Sequence, residues 1–438
     1  MANYKTVTRM TDNGPFIVKL ILELPVSVTG NDVNPDVFNV YTVRKEKNGE
    51  VLMRAERGAK KAFPSVGYRD VIKAYPCDEK GKKAYRSTYV ALEMNEERLG
   101  KRIEGNVLAS RYLLNEYRIT QIKPIPGEEV DVTGLVFDTC IEDICPELIG
   151  WENGKSSHST KPLNYGYFTP KNKDNKKLPL VIWLHGAGEG GDDPLVAYTG
   201  NRVTSFSNFD MQMKFGGAAY VLVPQSPTVW MDNGVEKLGK SNESIYSEPL
   251  KYLIDEFIKE HEDTIDSSRI LITGISNGGF MTIRMLVDYP NFFAGACPGC
   301  TPYYVNNLGE KDIEILKDVP IWFTHAKKDE LVDPYETSLP LYNMLKEAGN
   351  DNVHLSYLDE VIDPTGQYKD ELGRPQKLFN HGVWIPMLDD AITLDFDGTR
   401  VIEGGESVTL YQWLGKQQLG VKREDKKAPE HSKFMIQL

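Results

Sequence analysis

Long apolar runs are missing from this 438-residue chain: nowhere do about 18 apolar residues follow one another, which excludes a helix that spans a membrane. Cysteine is scarce. Five are present (Cys77, Cys140, Cys145, Cys297, Cys300), too few for a disulfide framework, and the odd number leaves at least one unpaired within the chain. The pair in Cys297-Pro-Gly-Cys300 resembles half of a redox or zinc motif, but no second CxxC or histidine pair completes a site. Clustered charge is absent too. The formal charge is -12 with no block of five or more like charges, which argues against nucleic acid or an anionic membrane as main partner, since both reward clustered Lys and Arg. The short KKAF and KREDKK stretches read as solvated surface. The start, MANYKTVTRM, has neither the basic nor the apolar region of a signal peptide. There is no internal repeat and no low-complexity tract.

What is present divides the chain in two. Its length exceeds what one core ordinarily supports, so two domains are expected. Residues 1–125 hold short runs rich in Val, Ile, Tyr and Thr: FIVKLILEL (16–24), VFNVYTVRK (37–45), YRDVIKAY (68–75), STYVALEM (87–94) and YRITQIKPI (117–125). Asn-Gly, Gly-Pro and Lys-Gly turn signals separate them, and the pattern predicts a β-sandwich. KPIPGEE (123–129) reads as a linker, because two prolines discourage helix and sheet alike. Its exposed edge strands would suit packing against the chain's second domain or another subunit, which makes a homo-oligomer through this domain an expectation.

From 126 to 438 the pattern changes. LPLVIWLH (178–185), AAYVLVP (218–224), RILITG (269–274), VPIWFTH (319–325) and VHLSYL (353–358) are continuous apolar runs, as expected of strands covered on both faces of a parallel sheet. Helical segments alternate with them. In EPLKYLIDEFIKEHE (248–262), Leu250, Leu253, Ile254, Phe257 and Ile258 make one apolar stripe, and LPLYNMLKEAG (339–349) ends on a glycine suited to a helix stop. Alternating strands and helices predict an α/β fold with a largely parallel sheet.

Within that frame, Gly274-Ile-Ser276-Asn-Gly278 falls between a buried strand and the helix GGFMTIRMLVDYP. A sharp strand-to-helix turn needs unhindered residues beside the serine, supplied here by glycine at 274, 278 and 279, and it lifts the hydroxyl out at the carboxyl edge of the sheet beside a helix N-terminus. An oxyanion needs backbone N–H donors from two places. Asn277, next to the serine, is one, and Ala187 in the small-residue loop WLHGAGEGGDD (183–193) is the other. That loop is a poor phosphate cradle: it lacks the Gly-Lys-Ser/Thr ending and carries Glu189, Asp192 and Asp193.

A serine hydroxyl is a weak nucleophile, so a histidine must take its proton and a carboxylate must hold that histidine, in the chain order serine, acid, histidine. FTHAKKDELVDP offers Asp329 and Asp333; Asp329 is preferred because it lies in the turn just beyond a strand, whereas Asp333 precedes Pro334. Of the later histidines, His325 ends a strand and His354 lies inside one, so both read as structural, and His431 is in a polar tail. His381, in the loop FNHGVW, remains as the base. His185 reads as a support that holds the oxyanion loop by hydrogen bonds.

With those residues assembled, the chain from about 130 onward resembles the α/β-hydrolase esterases, specifically the polyhydroxybutyrate-depolymerase-like and predicted-peptidase branch. The resemblance is carried in order by LPLVIWLHGAGEGGDD, VLVPQSPTVW, DSSRILITGISNGGF, IWFTHAKKDELVDP, HGVW and LYQWLGKQ. It implies Ser276, Asp329 and His381 as a triad, an immunoglobulin-like sandwich ahead of the hydrolase, no metal or organic cofactor, a small or polymeric ester as substrate, and an extracellular setting. Gly186, Gln225, Trp230 and Trp384 lie in the same blocks and are the candidate substrate-binding positions. Two stretches depart from the pattern: DEVIDPTGQYKDELGRPQKLFN (359–380) and LDDAITLDFDGTRVIEGGES (388–407), which flank His381 and are placed to shape or cover a pocket. A serine peptidase on the same triad, and an inert binding or scaffolding protein, are the rival readings.

Overall fold

The computed structural model describes residues 2–54, 61–94, 102–104 (backbone only), 110–127, 130–172 and 176–420. His431, the KREDKK stretch, the first residue of KKAF and the last two of KPIPGEE lie outside the described residues. The chain divides into two compact units, the first running to Ile149 and the second from Gly150 on.

The first unit is built on an eight-stranded sheet in the order Val66–Arg69, Phe38–Lys45, Leu114–Gln121, Val136–Ile144, Ala2–Thr11, Gly14–Thr29, Arg86–Met94, Val71–Cys77. Neighbours are antiparallel except Ala2–Thr11 against Val136–Ile144, which is parallel. Alternating side chains from strands far apart in that order, among them Val40, Ile119, Phe137, Tyr4, Leu20 and Leu92, meet in one buried core, so the sheet folds over on itself as a sandwich. The long strand Gly14–Thr29 loses register with its partner between Glu23 and Val28, the kind of irregularity that bends a strand.

The expected boundary at 125 needs correction. Val136–Ile144 completes this first sheet between Leu114–Gln121 and Ala2–Thr11, so the division falls at Ile149. Neither Ala2–Thr11 nor Val136–Ile144 was expected as a strand. YRDVIKAY, expected as one strand, is broken at Asp70 into Val66–Arg69 and Val71–Cys77.

In the second unit we number the strands β1 (Trp151–Lys155), β2 (Asn164–Phe168), β3 (Leu178–Leu184), β4 (Tyr220–Gln225), β5 (Ile265–Ile275), β6 (Gly295–Gly299), β7 (Ile321–Ala326) and β8 (Val353–Leu358). They form one sheet in the order β1-β2-β4-β3-β5-β6-β7-β8. β1, β2 and β4 pair antiparallel, and β4 through β8 are mutually parallel. Every residue of β3 is buried, as a strand covered on both faces requires. The helices are α1 (Pro194–Thr199), α2 (Phe209–Lys214), α3 (Ser247–Glu260), α4 (Asn277–Asp288), α5 (Asp312–Leu316), α6 (Ser338–Glu347), α7 (Trp384–Leu388) and α8 (Leu410–Gly415). The α3 stripe is buried at Leu250, Leu253, Ile254 and Phe257, and α6 stops just before Gly349, whose φ of 90° continues no helix.

The α/β architecture with a preceding sandwich is thus as expected. Its parallel strands all end on the same edge, so the loops after β3, β5, β6, β7 and β8 converge there. Among the described residues no helix is long and apolar enough to cross a membrane.

Candidate active site

Ser276 stands between the last residue of β5 and the first of α4, with φ 51° and ψ -119°. A non-glycine residue in that conformation stores about 1–3 kcal/mol of strain, tolerated only where the surroundings impose it. Here they do: the Ser276 N–H donates to the Gly299 carbonyl at 2.8 Å, and the Phe280 N–H donates to the Ser276 carbonyl at 2.9 Å. The neighbouring glycines serve close approach rather than unusual torsions. A Cβ on Gly274 would lie 2.7 Å from the Leu184 carbonyl oxygen, one on Gly278 would lie 2.0 Å from that same oxygen, and one on Gly279 would lie 2.6 Å from the Gly299 carbonyl oxygen. The start of α4 is therefore pressed against the ends of β3 and β6, and Ser276 stays half-buried at the turn.

The loop after β3 is fixed by His185. Its ring is wholly buried; Nδ1–H donates to the Gly186 carbonyl at 2.6 Å, and Nε2 accepts from the Ser226 N–H at 3.0 Å. Those partners require the neutral Nδ1–H tautomer. The loop is thus tied to the end of β4, and Ala187 and Gly188 are left half-exposed beyond the clamp. From the other side, the Asn277 side-chain oxygen accepts the Trp230 N–H, so the residue after the serine also holds the β4 loop.

The loops after β7 and β8 bring Asp329 and His381 together. His381 Nδ1–H donates to the Asp329 carboxylate, at 2.8 Å to Oδ2 and 2.9 Å to Oδ1. Oδ1 also accepts the N–H groups of Leu331 and Val332 at 2.8 and 2.9 Å. Burial alone would raise the Asp329 pKa, but hydrogen bonds from His325, His381 and the backbone overcome it and hold the carboxyl well below the usual range. Asp333 is exposed and accepts instead from the Tyr335 N–H.

Nε2 of His381, the edge turned away from Asp329, faces the Cys300 thiol at 3.9 Å. Ile275 and Gly299 pair across β5 and β6, so Ser276 and Cys300 are the next residues on adjacent strands. Burial lowers the His381 pKa, while the Cys300 sulfur and the Asp329 carboxylate raise it; the net effect pushes it up to about 10. Cys300 was visible in sequence only as the end of a CxxC that completed nothing. Cys77, Cys140, Cys297 and Cys300 are free thiols. Cys300, Asp329 and His381 offer metal-ligating atoms within 4.8 Å of one another.

The remaining candidates divide by exposure. Gln225 and Trp230 are wholly buried: Gln225 Nε2 donates to the Glu189 carbonyl at 3.0 Å, and the Trp230 ring packs 5.1 Å from that of His185. They support the loop after β3 and present no surface to a substrate. Gly186 is buried as well, with the Glu189 carboxylate and Ile275 where a side chain would sit. Trp384, at the start of α7, is half-exposed.

Of the two departing stretches, the first ends at the site. Phe379 lies 5.9 Å from the His381 ring, and Asn380 donates to the Lys328 carbonyl and Glu330. The second is clasped to the outer strand, where Asp395 accepts from His354 at 2.6 Å and from the Leu355 N–H at 3.0 Å.

Residues 3–133 match the esterase Ig-like N-terminal domain family, and residues 167–362 match the phospholipase/carboxylesterase family. A poly(3-hydroxyalkanoate) depolymerase C of Paucimonas lemoignei is 31% identical over 128 residues, 27% of this chain and 27% of that protein. The chain thus spans about a quarter of that relative's length. Carboxylesterase SOBER1 of Arabidopsis thaliana is 25% identical over 187 residues, 39% of this chain and 77% of that protein. A crystal structure of a thermostable esterase superposes with a TM-score of 0.68 at 24% identity, covering 89% of this chain and 96% of that one, a likeness of fold.

Proposed function

The chain carries an esterase-type immunoglobulin-like domain followed by a phospholipase/carboxylesterase domain of the α/β-hydrolase fold, and from that premise we propose that it is a serine carboxylesterase working through Ser276, His381 and Asp329. The observation that carries the reading is the doubly bonded Asp329–His381 pair in the loops after β7 and β8, on the sheet edge where β5 ends in a serine held at φ 51° on a strand-to-helix turn.

In this reading Ser276 Oγ attacks the ester carbonyl while His381 Nε2 takes its proton. Asp329 keeps the other ring nitrogen protonated and stabilises the imidazolium that forms. Backbone N–H groups of Asn277 and Ala187 hold the oxyanion, the first at the N-terminus of α4 where the helix dipole favours negative charge. His381 then gives its proton to the departing alkoxide, and a water deprotonated by the same imidazole releases the acid from the acyl-serine. The base must be neutral to begin, so the raised pKa of His381 places activity on the alkaline side.

Ser276→Ala tests the proposal. Hydrolysis of p-nitrophenyl acetate should fall by several orders of magnitude with the fold intact, and labelling by a fluorophosphonate should vanish. Retention of a tenth of the turnover would remove Ser276 from the mechanism. Comparing the same ester with peptide anilides tests the preference for esters over amides.

A further inference from the structure

We infer that His325, which lies outside the set of three, is a positioning residue for the reaction: it holds the second oxygen of Asp329 so that the carboxylate keeps one orientation and one basicity toward His381. The inference rests on the esterase reading above.

His325 is the fifth residue of β7 and is wholly buried. Its Nε2 faces two acceptors, Oδ2 of Asp329 at 3.1 Å and the Val332 carbonyl at 3.2 Å, so that nitrogen carries a hydrogen. Nδ1 faces the Ser338 hydroxyl at 2.7 Å, which can donate. A neutral Nε2–H imidazole therefore satisfies every contact. The polar chain runs from Ser338, the first residue of α6, through His325 to Asp329, where it meets His381 arriving from the other side.

The two carboxylate oxygens are held differently. Oδ1 is anchored by the Leu331 and Val332 N–H groups, whereas the donors on Oδ2 among the described residues are the two histidines. Removing the His325 donor leaves Oδ2 dependent on His381. A buried carboxylate with fewer donors is more basic, so it holds the imidazolium more tightly, and His381 gives up its proton at higher pH. The carboxylate is also freer to turn, which misplaces the imidazole and lowers kcat more than it raises KM.

The other titratable groups near this chain face elsewhere or are accounted for. Cys300 meets His381 from the end of β6, Lys327 and Lys328 pair with Asp359 and Glu360, and Glu330 accepts from Asn380. Asp333 caps the turn ahead of α6 by accepting from the Tyr335 N–H.

The experiment uses the full chain with His325→Leu, His325→Gln and Ser338→Ala. It measures kcat and KM on p-nitrophenyl acetate, the pH profile of kcat/KM, fluorophosphonate uptake at Ser276, and thermal unfolding. His325→Leu should lower kcat by about 10- to 100-fold with KM little changed, and move the acid limb of the profile to higher pH. His325→Gln, which keeps an N–H donor, should recover much of both, and Ser338→Ala should move the limb in the same direction by less.

An unmoved limb, or a glutamine no better than leucine, would mean that His325 only fills space, and the inference would be wrong. If the leucine variant does not fold, the glutamine and Ser338→Ala variants decide: unmoved limbs in both refute it. An unmodified chain that neither hydrolyses the ester nor takes up the phosphonate sinks the esterase reading and this inference with it. An active parent with indifferent variants sinks this inference alone.

Discussion

Adding a single methyl group at Gly278 should disable the site without touching any reacting atom. A Cβ there would lie 2.0 Å from the Leu184 carbonyl oxygen, 2.4 Å from its carbon and 2.7 Å from the His185 carbonyl oxygen. The shortest of these is about 1.4 Å inside ordinary contact at 3.4 Å. All three neighbours are backbone, so no flexible side chain can give way. In Gly278→Ala the start of α4 must therefore part from the end of β3. That movement separates the two proposed oxyanion donors, since Asn277 rides on the helix and Ala187 on the loop that β3 leads into. Overpacking of this kind costs about 1–3 kcal/mol of stability. A displacement near 1 Å at the reacting centre costs about 100-fold in rate. The expected result is a kcat on p-nitrophenyl acetate reduced about 100-fold, with a melting temperature several degrees lower and a molecule still folded at 25 °C. Gly30→Ala is the control: nothing lies within 4 Å of its Cβ, and both properties should stay at the parent values. A Gly278→Ala enzyme with parental kcat would show that the helix and strand are free to separate, and the close-packed account of the elbow would be wrong.

Three further outcomes follow from the same geometry. Asp329→Asn should lower kcat by about 10⁴-fold, because the amide cannot hold the required imidazole tautomer, while Asp333→Asn leaves it nearly unchanged; the opposite ranking in steady-state kinetics would move the acid to Asp333. Cys300→Ala should shift the acid limb of kcat/KM to lower pH, since the sulfur raises the His381 pKa and catalysis needs the neutral ring; a shift to higher pH would reverse the assigned sign. A fragment starting at Gly150 should be more soluble than one starting at Gly127, because the longer one carries Val136–Ile144 without the strands it pairs with; equal light scattering from the two would count against the boundary at Ile149.

The apolar strands of the second unit and the elbow were legible in sequence because each is a local property. Leu178–Leu184 is apolar at every position apart from its proline, and a serine among glycines between a strand and a helix has few conformations open to it. Strands lacking that signature were missed. Val136–Ile144 is largely exposed and carries three acidic residues, so only its pairing with Ala2–Thr11 and Leu114–Gln121 makes it a strand and moves the domain boundary. The proposed order of serine, acid and base rests on the chain, whereas the contact between Asp329 and His381 comes from the structure alone.

Cys300 against Nε2 of His381, and His325 on the second oxygen of Asp329, join residues that are 81 and 4 positions apart. The first contact exists because the segments that follow β6 and β8 leave a parallel sheet at one shared edge. The second exists because a turn after β7 folds its carboxylate back over the strand it leaves. Gln225 and Trp230 show the converse. Sequence put them in the right loop, and only the packing of that loop on His185 and Glu189 decided that they face inward and support the site. Local composition fixes which torsions a segment can adopt, whereas which side chains meet depends on strand order, and strand order is a property of the whole sheet.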